Sequence, residues 1–312
     1  MTDKNYIRRL IFTLLWFCAV LAAHAQQDPM YTQYMDNILT VNPAYAGTGR
    51  VMNVRALTRN QWVSLDGAPT THVVSMHTPV GREMMGLGFS ILTDKIGVIS
   101  QTGAYFDYSY RVAFGFRQYL SFGLKGGVNF YEARLSDLDL VDPNDPIFQS
   151  DVNQRFLPNV GLGLFFHSER FYLGLSVPKM LRNTITRSSY TVEQLQKEEL
   201  HYFLMTGYVF DVNQVVKFKP YFQLKYMNNV PLSVDISTHF LLYDKLWLGA
   251  MYRVGDAVGG MMQLQVTDQF KVGYSYDITS SDLNSFNRGT HEILVSYDFV
   301  SSRRRAHSPR YF

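Results

Sequence analysis

The chain is poor in cysteine, in long hydrophobic runs and in net charge. Its 312 residues include one cysteine, Cys18, inside the N-terminal apolar stretch. The rest of the chain is cysteine-free, so it needs no disulfides and cannot mispair in an oxidising compartment. The longest apolar run, Leu10 to Ala23, has 14 residues, short of the ~20 that a membrane-spanning helix requires. Formal net charge is +3. Residues 1–25 hold Lys4, Arg8, Arg9 and Asp3, or +2, so the remainder carries +1. That balance excludes a global basic field for nucleic acid.

Catalytic signatures are also missing. No glycine-rich stretch precedes a Lys-Ser/Thr pair, and neither G-x-S-x-G nor H-E-x-x-H occurs. The eight histidines are scattered, and His72 and His77, five apart in one strand, point to opposite faces. Asp137, Asp139, Asp142, Asp145 and Asp151, broken by Pro143 and Pro146, miss the spacing of a calcium loop and read as a solvated loop. The expectation is a protein that is not an enzyme and carries no cofactor or metal.

What is present begins with an export signal. Lys4, Arg8 and Arg9 precede the apolar run, and Ala23-His24-Ala25 offers small residues where a signal peptidase reads, giving cleavage between Ala25 and Gln26. Trp16 and Phe17 before Cys18 argue against lipidation. Aromatics reach 15%, with 21 Tyr and 22 Phe, an amount suited to the lipid-facing band and girdles of an outer-membrane barrel.

Period-two patterning dominates after residue 50. Ser121, Gly123, Lys125, Gly127 and Asn129 alternate with Phe122, Leu124, Gly126, Val128 and Phe130; Lys217, Lys219, Tyr221, Gln223 and Lys225 alternate with Phe218, Pro220, Phe222, Leu224 and Tyr226. Such segments lie near 51–59, 70–78, 83–93, 97–112, 117–133, 157–168, 170–178, 200–211, 215–228, 231–243, 245–254, 258–267, 270–279 and 290–300. Fourteen is the even count that a single-chain barrel with both ends on one side needs. The long connections, 60–69, 134–156, 179–199 and 280–289, all fall between odd and even strands, and the other side has tight turns. The pattern predicts an all-β, transmembrane, antiparallel up-and-down β-barrel of about 14 strands. A soluble sandwich shares the period, but its outward face would be less aromatic. The long loops are then extracellular, and both termini are periplasmic. Thr191 to Glu199 has helix formers and predicts a short helix in one external loop.

The predicted organisation is a signal peptide at 1–25, an N-terminal periplasmic or lumen-plug segment at 26–50, the barrel at 51–300, and a basic periplasmic tail at 301–312. In the N-terminal segment Asp28 and Pro29 suit a helix start, Met30, Tyr31, Tyr34, Met35 and Ile38 recur at helical spacing, and Asn42-Pro43 ends the element. It either closes the periplasmic mouth or enters the lumen and presents a surface to a partner.

The segment also carries a family resemblance. Asp28-Pro29, Gln33-Tyr34, Asn37 and Asn42-Pro43-Ala44-Tyr45-Ala46-Gly47 lie near the start. Asn60-Gln61-Trp62, His201-Tyr202, Gly207-Tyr208, Gly249 with Tyr252-Arg253, Gly273-Tyr274-Ser275-Tyr276-Asp277, Gly289-Thr290-His291-Glu292-Ile293 and Tyr297-Asp298-Phe299 come after them in order. As a set these resemble the PorP/SprF family of the Bacteroidetes type IX secretion and gliding machinery. The resemblance implies an outer-membrane barrel in one of two roles. One contacts a lipoprotein and a periplasmic ring at the base of a trans-envelope complex. The other supports export and anchoring of a surface adhesin bearing a sorting domain.

Candidate partner-binding residues are Asp28, Pro29, Tyr31, Gln33, Tyr34, Asn37, Asn42, Pro43 and Tyr45, together with the tail's Arg303, Arg304 and Arg305. The tail reads as a solvated extension or as a docking strip for an acidic periplasmic partner. Other expected partners are the outer-membrane lipid bilayer and no nucleic acid. The alternative is a fatty-acid-transporter-like barrel for hydrophobic small molecules, which would call for an apolar lumen. A structural barrel with adhesive loops is a third reading.

Overall fold

The computed structural model describes residues 29–49, 51–81, 84–138, 151–186, 194–228 and 230–300. The predicted signal peptide with Ala25 and Gln26, the residue Asp28, the centre of the acidic loop and the tail with Arg303, Arg304 and Arg305 lie outside them.

Fourteen antiparallel strands succeed one another around a closed barrel. They are β1 (Met52–Asn60), β2 (Thr70–Val80), β3 (Met85–Ile96), β4 (Ile99–Gly115), β5 (Gln118–Ala133), β6 (Val152–His167), β7 (Phe171–Val177), β8 (His201–Tyr208), β9 (Val216–Met227), β10 (Ser233–Leu242), β11 (Leu246–Arg253), β12 (Ala257–Gln265), β13 (Phe270–Thr279) and β14 (Thr290–Phe299). A two-residue piece, Phe210–Asp211, continues β8 past Val209 and pairs with β9. β1 pairs with β14, Met52 opposite Phe299, and so the first and last strands close the wall. A closed wall leaves no unpaired edge, the condition for strands to cross lipid.

The period of two sorts chemistry by side. On β4 Tyr105, Asp107, Ser109 and Arg111 are buried, whereas Phe106, Tyr108, Tyr110 and Val112 are exposed, Phe106 at 69%. On β10 Asp235, Ser237 and His239 are buried, and Ile236 and Phe240 exposed. On these strands polar groups thus face inward and apolar groups outward, while other inward positions such as Leu57, Val73, Phe165 and Leu294 are apolar. Water does not tolerate an apolar surface of that extent on an isolated protein, but a bilayer does. The buried positions include Lys125, Lys219 and Lys225, as the alternation predicts, and His77 is buried while His72 faces out.

The loops keep their predicted parity. The strand ends that bound connections 61–69, 134–151, 178–200 and 280–289 lie at one mouth; those that bound 81–84, 116–117, 168–170, 212–215, 243–245 and 266–269 lie at the other, beside Met52 and Phe299. Two expectations fail locally. β6 begins at Val152 rather than at 157, because the ladder with β5 runs on to Ala133 opposite Val152 past an irregularity. The helix predicted at Thr191 to Glu199 is not formed over its described part: Gln194–Lys197 is a strand paired with Thr184–Thr186. Glu198 just beyond it accepts from Asn183 Nδ2 at 2.7 Å and from Asn129 and Asn159 on the wall at 3.3 Å. Those tertiary contacts outweigh a helix propensity of a few tenths of a kcal/mol per residue, about 0.7 at most.

Candidate functional site: the N-terminal segment inside the lumen

Residues 29–49 occupy the barrel interior. Tyr31, Tyr34, Met35, Ile38, Leu39, Val41, Ala44, Tyr45 and Ala46 are buried and form one apolar cluster with Leu57, Val73, Phe165, Tyr172, Phe203 and Met205 of the wall. The segment runs from mouth to mouth. Arg253, at the long-loop end of β11, donates from Nη2 to Tyr31 O at 2.9 Å. Gly47, at the other end, lies against Thr78, Pro79 and Gly86 beside the tight turns. Pro29 therefore sits towards the long-loop mouth, opposite the mouth where β1 begins. The sequence expectation puts both termini at the tight-turn mouth; the residues before Pro29 lie outside the described ones.

The expected helix is replaced by three short turns, Tyr34–Asp36, Ile38–Val41 and Pro43–Tyr45. An amphipathic helix suits a segment with one apolar neighbour, but this one is surrounded. Its main-chain groups find partners on the wall, so internal helical hydrogen bonds are not required.

Charged groups of the wall hold it along its length. Near the long-loop mouth Arg59 bridges Asp277 at 3.0 Å and Glu292 at 3.1 Å. The Glu292 carboxylate accepts from Thr32 N at 3.0 Å and Gln33 N at 2.9 Å. The Thr32 hydroxyl donates to Asp277 and accepts from Arg59 at 2.8 Å. Arg253 grips Asp235 with two nitrogens at 2.8 and 2.9 Å, the bidentate geometry that guanidinium favours. Deeper in, Asp36 pairs with Lys271 and accepts from Gln263 Nε2 at 2.6 Å, while Arg55 donates to Asp36 O. On the opposite wall Lys125 pairs with Asp107 at 3.0 Å and donates to Leu39 O at 3.2 Å.

Where the segment touches the wall most closely, the wall is glycine. A Cβ at Gly123 of β5 would overlap the main chain of Pro43 and Ala44, one at Gly163 of β6 would overlap Asn42, and one at Gly86 of β3 would overlap Ala46. Asn42 spans this seat: its Nδ2 donates to Leu164 O at 3.0 Å and its Oδ1 accepts from Ala44 N at 3.0 Å. Gly47 has φ +66, and a side chain there would also meet Gly86 Cα at 2.6 Å. Main chain this close leaves no room for a Cβ on the wall, and where Gly47 meets Gly86 neither side carries one. One cavity of about 40 Å³ lies beside the segment among Tyr31, Val41, Leu92, Tyr105, Lys125 and Phe203, room for a few waters.

Of the predicted site residues, the structure gathers Tyr31, Gln33, Tyr34, Asn37, Asn42, Pro43 and Tyr45 inside the lumen, all buried, with Pro29 half-buried. Tyr31 and Tyr34 pack edge to face at 5.2 Å, and Tyr45 meets Phe165 the same way at 5.5 Å. Sequence reasoning missed Thr32 and Asp36 and the wall residues that hold them. A signal existed. Arg253, Asp277 and Glu292 each stand beside an aromatic or histidine in the late motifs, on inward-facing positions. Charged residues facing the inside of a barrel need partners, and here the partners come from the N-terminal segment. Gly273 belongs to the same motifs, and a Cβ there would lie 2.6 Å from Gln33 Oε1.

A family model described as type IX secretion system membrane protein PorP/SprF matches residues 23–297. No curated protein matches the chain. Among solved structures, the Acinetobacter baumannii outer membrane protein Omp33 is 10% identical, covering 81% of this chain and 100% of its own, with a TM-score of 0.48. The Pseudomonas putida toluene transporter TodX is 9% identical over 85% of this chain and 94% of its own, TM-score 0.48. A Pseudomonas aeruginosa FadL homologue is 9% identical over 80% and 89%, TM-score 0.43.

Proposed function

Because the chain belongs to the PorP/SprF family of type IX secretion system membrane proteins, we propose that it works in the outer membrane by binding other envelope proteins rather than by conducting solutes or catalysing a reaction. The observation that carries this reading is the filled lumen: residues 29–49 run between its mouths and are ion-paired to its wall. A transporter for hydrophobic molecules would want an apolar lumen, whereas this inward face sets Arg59, Arg253, Lys125, Asp235, Asp277 and Glu292 among its apolar residues, which the N-terminal segment already covers.

In this reading the long-loop mouth faces the cell exterior and the tight turns face the periplasm. β14 then delivers the tail to the periplasm, where Arg303, Arg304 and Arg305 dock an acidic surface of the secretion machine's lipoprotein or ring. The long loops meet a surface protein bearing a sorting domain. Deleting residues 26–45 is expected to leave a heat-modifiable barrel in the outer membrane and to abolish partner binding; full secretion by that deletion would reduce the segment to a lid. The first test is a mild-detergent pull-down from native membranes with mass spectrometry. A periplasmic ring or lipoprotein supports a place in the core machine, and a large surface protein supports a dedicated exporter. A lone barrel carrying lipid would overturn the reading.

A further inference from the structure

Beside the apolar cluster, the wall grips the main chain of the N-terminal segment at many points. Arg253 donates to Tyr31 O, Glu292 accepts from Thr32 N and Gln33 N, and Arg55 and Lys125 donate to Asp36 O and Leu39 O. At the far end Ser109 donates to Ala46 O at 2.7 Å, Arg111 donates to Gly47 O, and His77 Nδ1 accepts from Gly47 N at 3.3 Å. A wall that reads main chain can accept another peptide that takes the same path and fills the same apolar positions. Side chains are selected as well: Asp277 and Arg59 meet the Thr32 hydroxyl, Gln263 donates to Gln33 Oε1 at 2.9 Å, Lys271 with Gln263 holds the Asp36 carboxylate, Asn42 Nδ2 donates to Leu164 O, and the apolar cluster takes large residues such as Tyr34, Ile38 and Tyr45.

We propose that the lumen is a peptide-binding site whose resident occupant is residues 29–47. The exchanging occupant is a partner-protein segment bearing a hydroxyl residue and a carboxylate four positions later. The argument rests on complementarity. If the resident segment left an empty lumen, Lys271 would lose its Asp36 carboxylate, and Glu292 would lose both amide donors from Thr32 and Gln33. Buried charges without partners are strongly disfavoured, so the lumen favours exchange over emptying. The direction comes from the tether. Gly47 leads within a few residues to β1 at the tight-turn mouth, whereas Pro29 lies at the long-loop mouth. Displacement can begin at Pro29 and proceed one contact at a time, so the incoming peptide enters from the long-loop side.

The test needs only the purified full chain, so its outcome is independent of whether the secretion machine is the right assembly. Asp36→Asn with Asn42→Ala weakens the resident segment. A fluorescein-labelled synthetic peptide of residues 29–47 is then added and anisotropy monitored. Saturable binding is expected, about tenfold weaker for a peptide carrying Asp36→Asn, as loss of a charge-assisted hydrogen bond predicts. A Gln33→Cys/Gly273→Cys chain, oxidised to lock the segment, should not bind. Binding equal to that of a scrambled peptide, or unaffected by the lock, would overturn the proposal, as would no binding by a heat-modifiable barrel. Should the weakened chain not fold, a second arm keeps the native segment. Gly273→Cys alone is incubated with peptide carrying Gln33→Cys. Mixed disulfide formation supports exchange, and its absence under oxidising conditions that form the intramolecular lock refutes it.

Discussion

Replacing Asp36 by alanine should loosen the N-terminal segment without unfolding the barrel. The Asp36 side chain is 7% exposed and its partner Lys271 17% exposed. Breaking a fully buried ion pair from one side costs about 3–5 kcal/mol, because the surviving charge is left unpaired. Lys271 keeps some contact with water, and Gln263 loses one acceptor, so we take about 2–3 kcal/mol for this site. At about 1.4 kcal/mol per factor of ten, the released population rises about 30- to 150-fold. The chain after residue 25 has no cysteine, so a single Val41→Cys reports on the segment cleanly; Val41 is buried. In the regime where opening and closing outrun alkylation, the maleimide labelling rate tracks the open population. The same increase should appear in bilayers and detergent, with heat-modifiable mobility retained. Adding Lys271→Met to Asp36→Ala should recover part of the loss, since no unpaired ammonium remains. A labelling rate within about twofold of the parent, below the usual scatter of additive effects, would refute the ionic anchor and leave apolar packing as the hold.

Four further outcomes are expected from the same geometry. Arg59→Ala leaves Asp277 and Glu292 facing each other inside the lumen and should destabilise the barrel by about 3–5 kcal/mol, read as loss of the heat-resistant band at lower temperature; adding Asp277→Asn and Glu292→Gln should restore much of it. Gly123→Val puts side-chain atoms into the main chain of Pro43 and Ala44 and should cost about 1–3 kcal/mol of segment docking, seen as faster Val41→Cys labelling on an intact barrel. Phe106→Arg, at mid-strand on the outer face, should lower stability in bilayers by about 2–4 kcal/mol, measured by reversible denaturation; an unchanged midpoint would mean this face does not meet lipid. For sidedness, Ser285→Cys should react with an impermeant maleimide on intact cells and Asp244→Cys only after permeabilisation; the reverse result would invert the proposed orientation.

The barrel is legible in the sequence because its signal is local. A strand with one polar and one apolar face repeats every two residues wherever it lies, so Tyr105 through Val112 can be sorted into inward and outward sets without a partner in view. Loop parity adds a second check, since odd connections such as 61–69 and 280–289 must share a mouth if the count is right. The errors arise where local propensity meets a distant neighbour. Gln194–Lys197 looks helical until Thr184–Thr186 pairs with it. Met30 to Ile38 shows helical spacing, but the lumen surrounds it, so apolar residues are buried at every angle and spacing no longer reports a single face.

Strand number, polar interior, apolar exterior and the membership of the N-terminal motif in the candidate site could all be read from the order of residues. Side-chain alternation and turn chemistry act over a few positions, so they leave a mark in any short window. The threading of the lumen, with Pro29 at the long-loop mouth, left no such mark and emerged from the folded chain. So did the role of Asp36 as an anchor and the convergence of Arg59, Arg253, Asp277 and Glu292 on Tyr31 to Gln33. The contact of Thr32 with Glu292 spans 260 positions. Charges so far apart in the chain become neighbours only when β14 closes against β1, and no local pattern records which of them will meet.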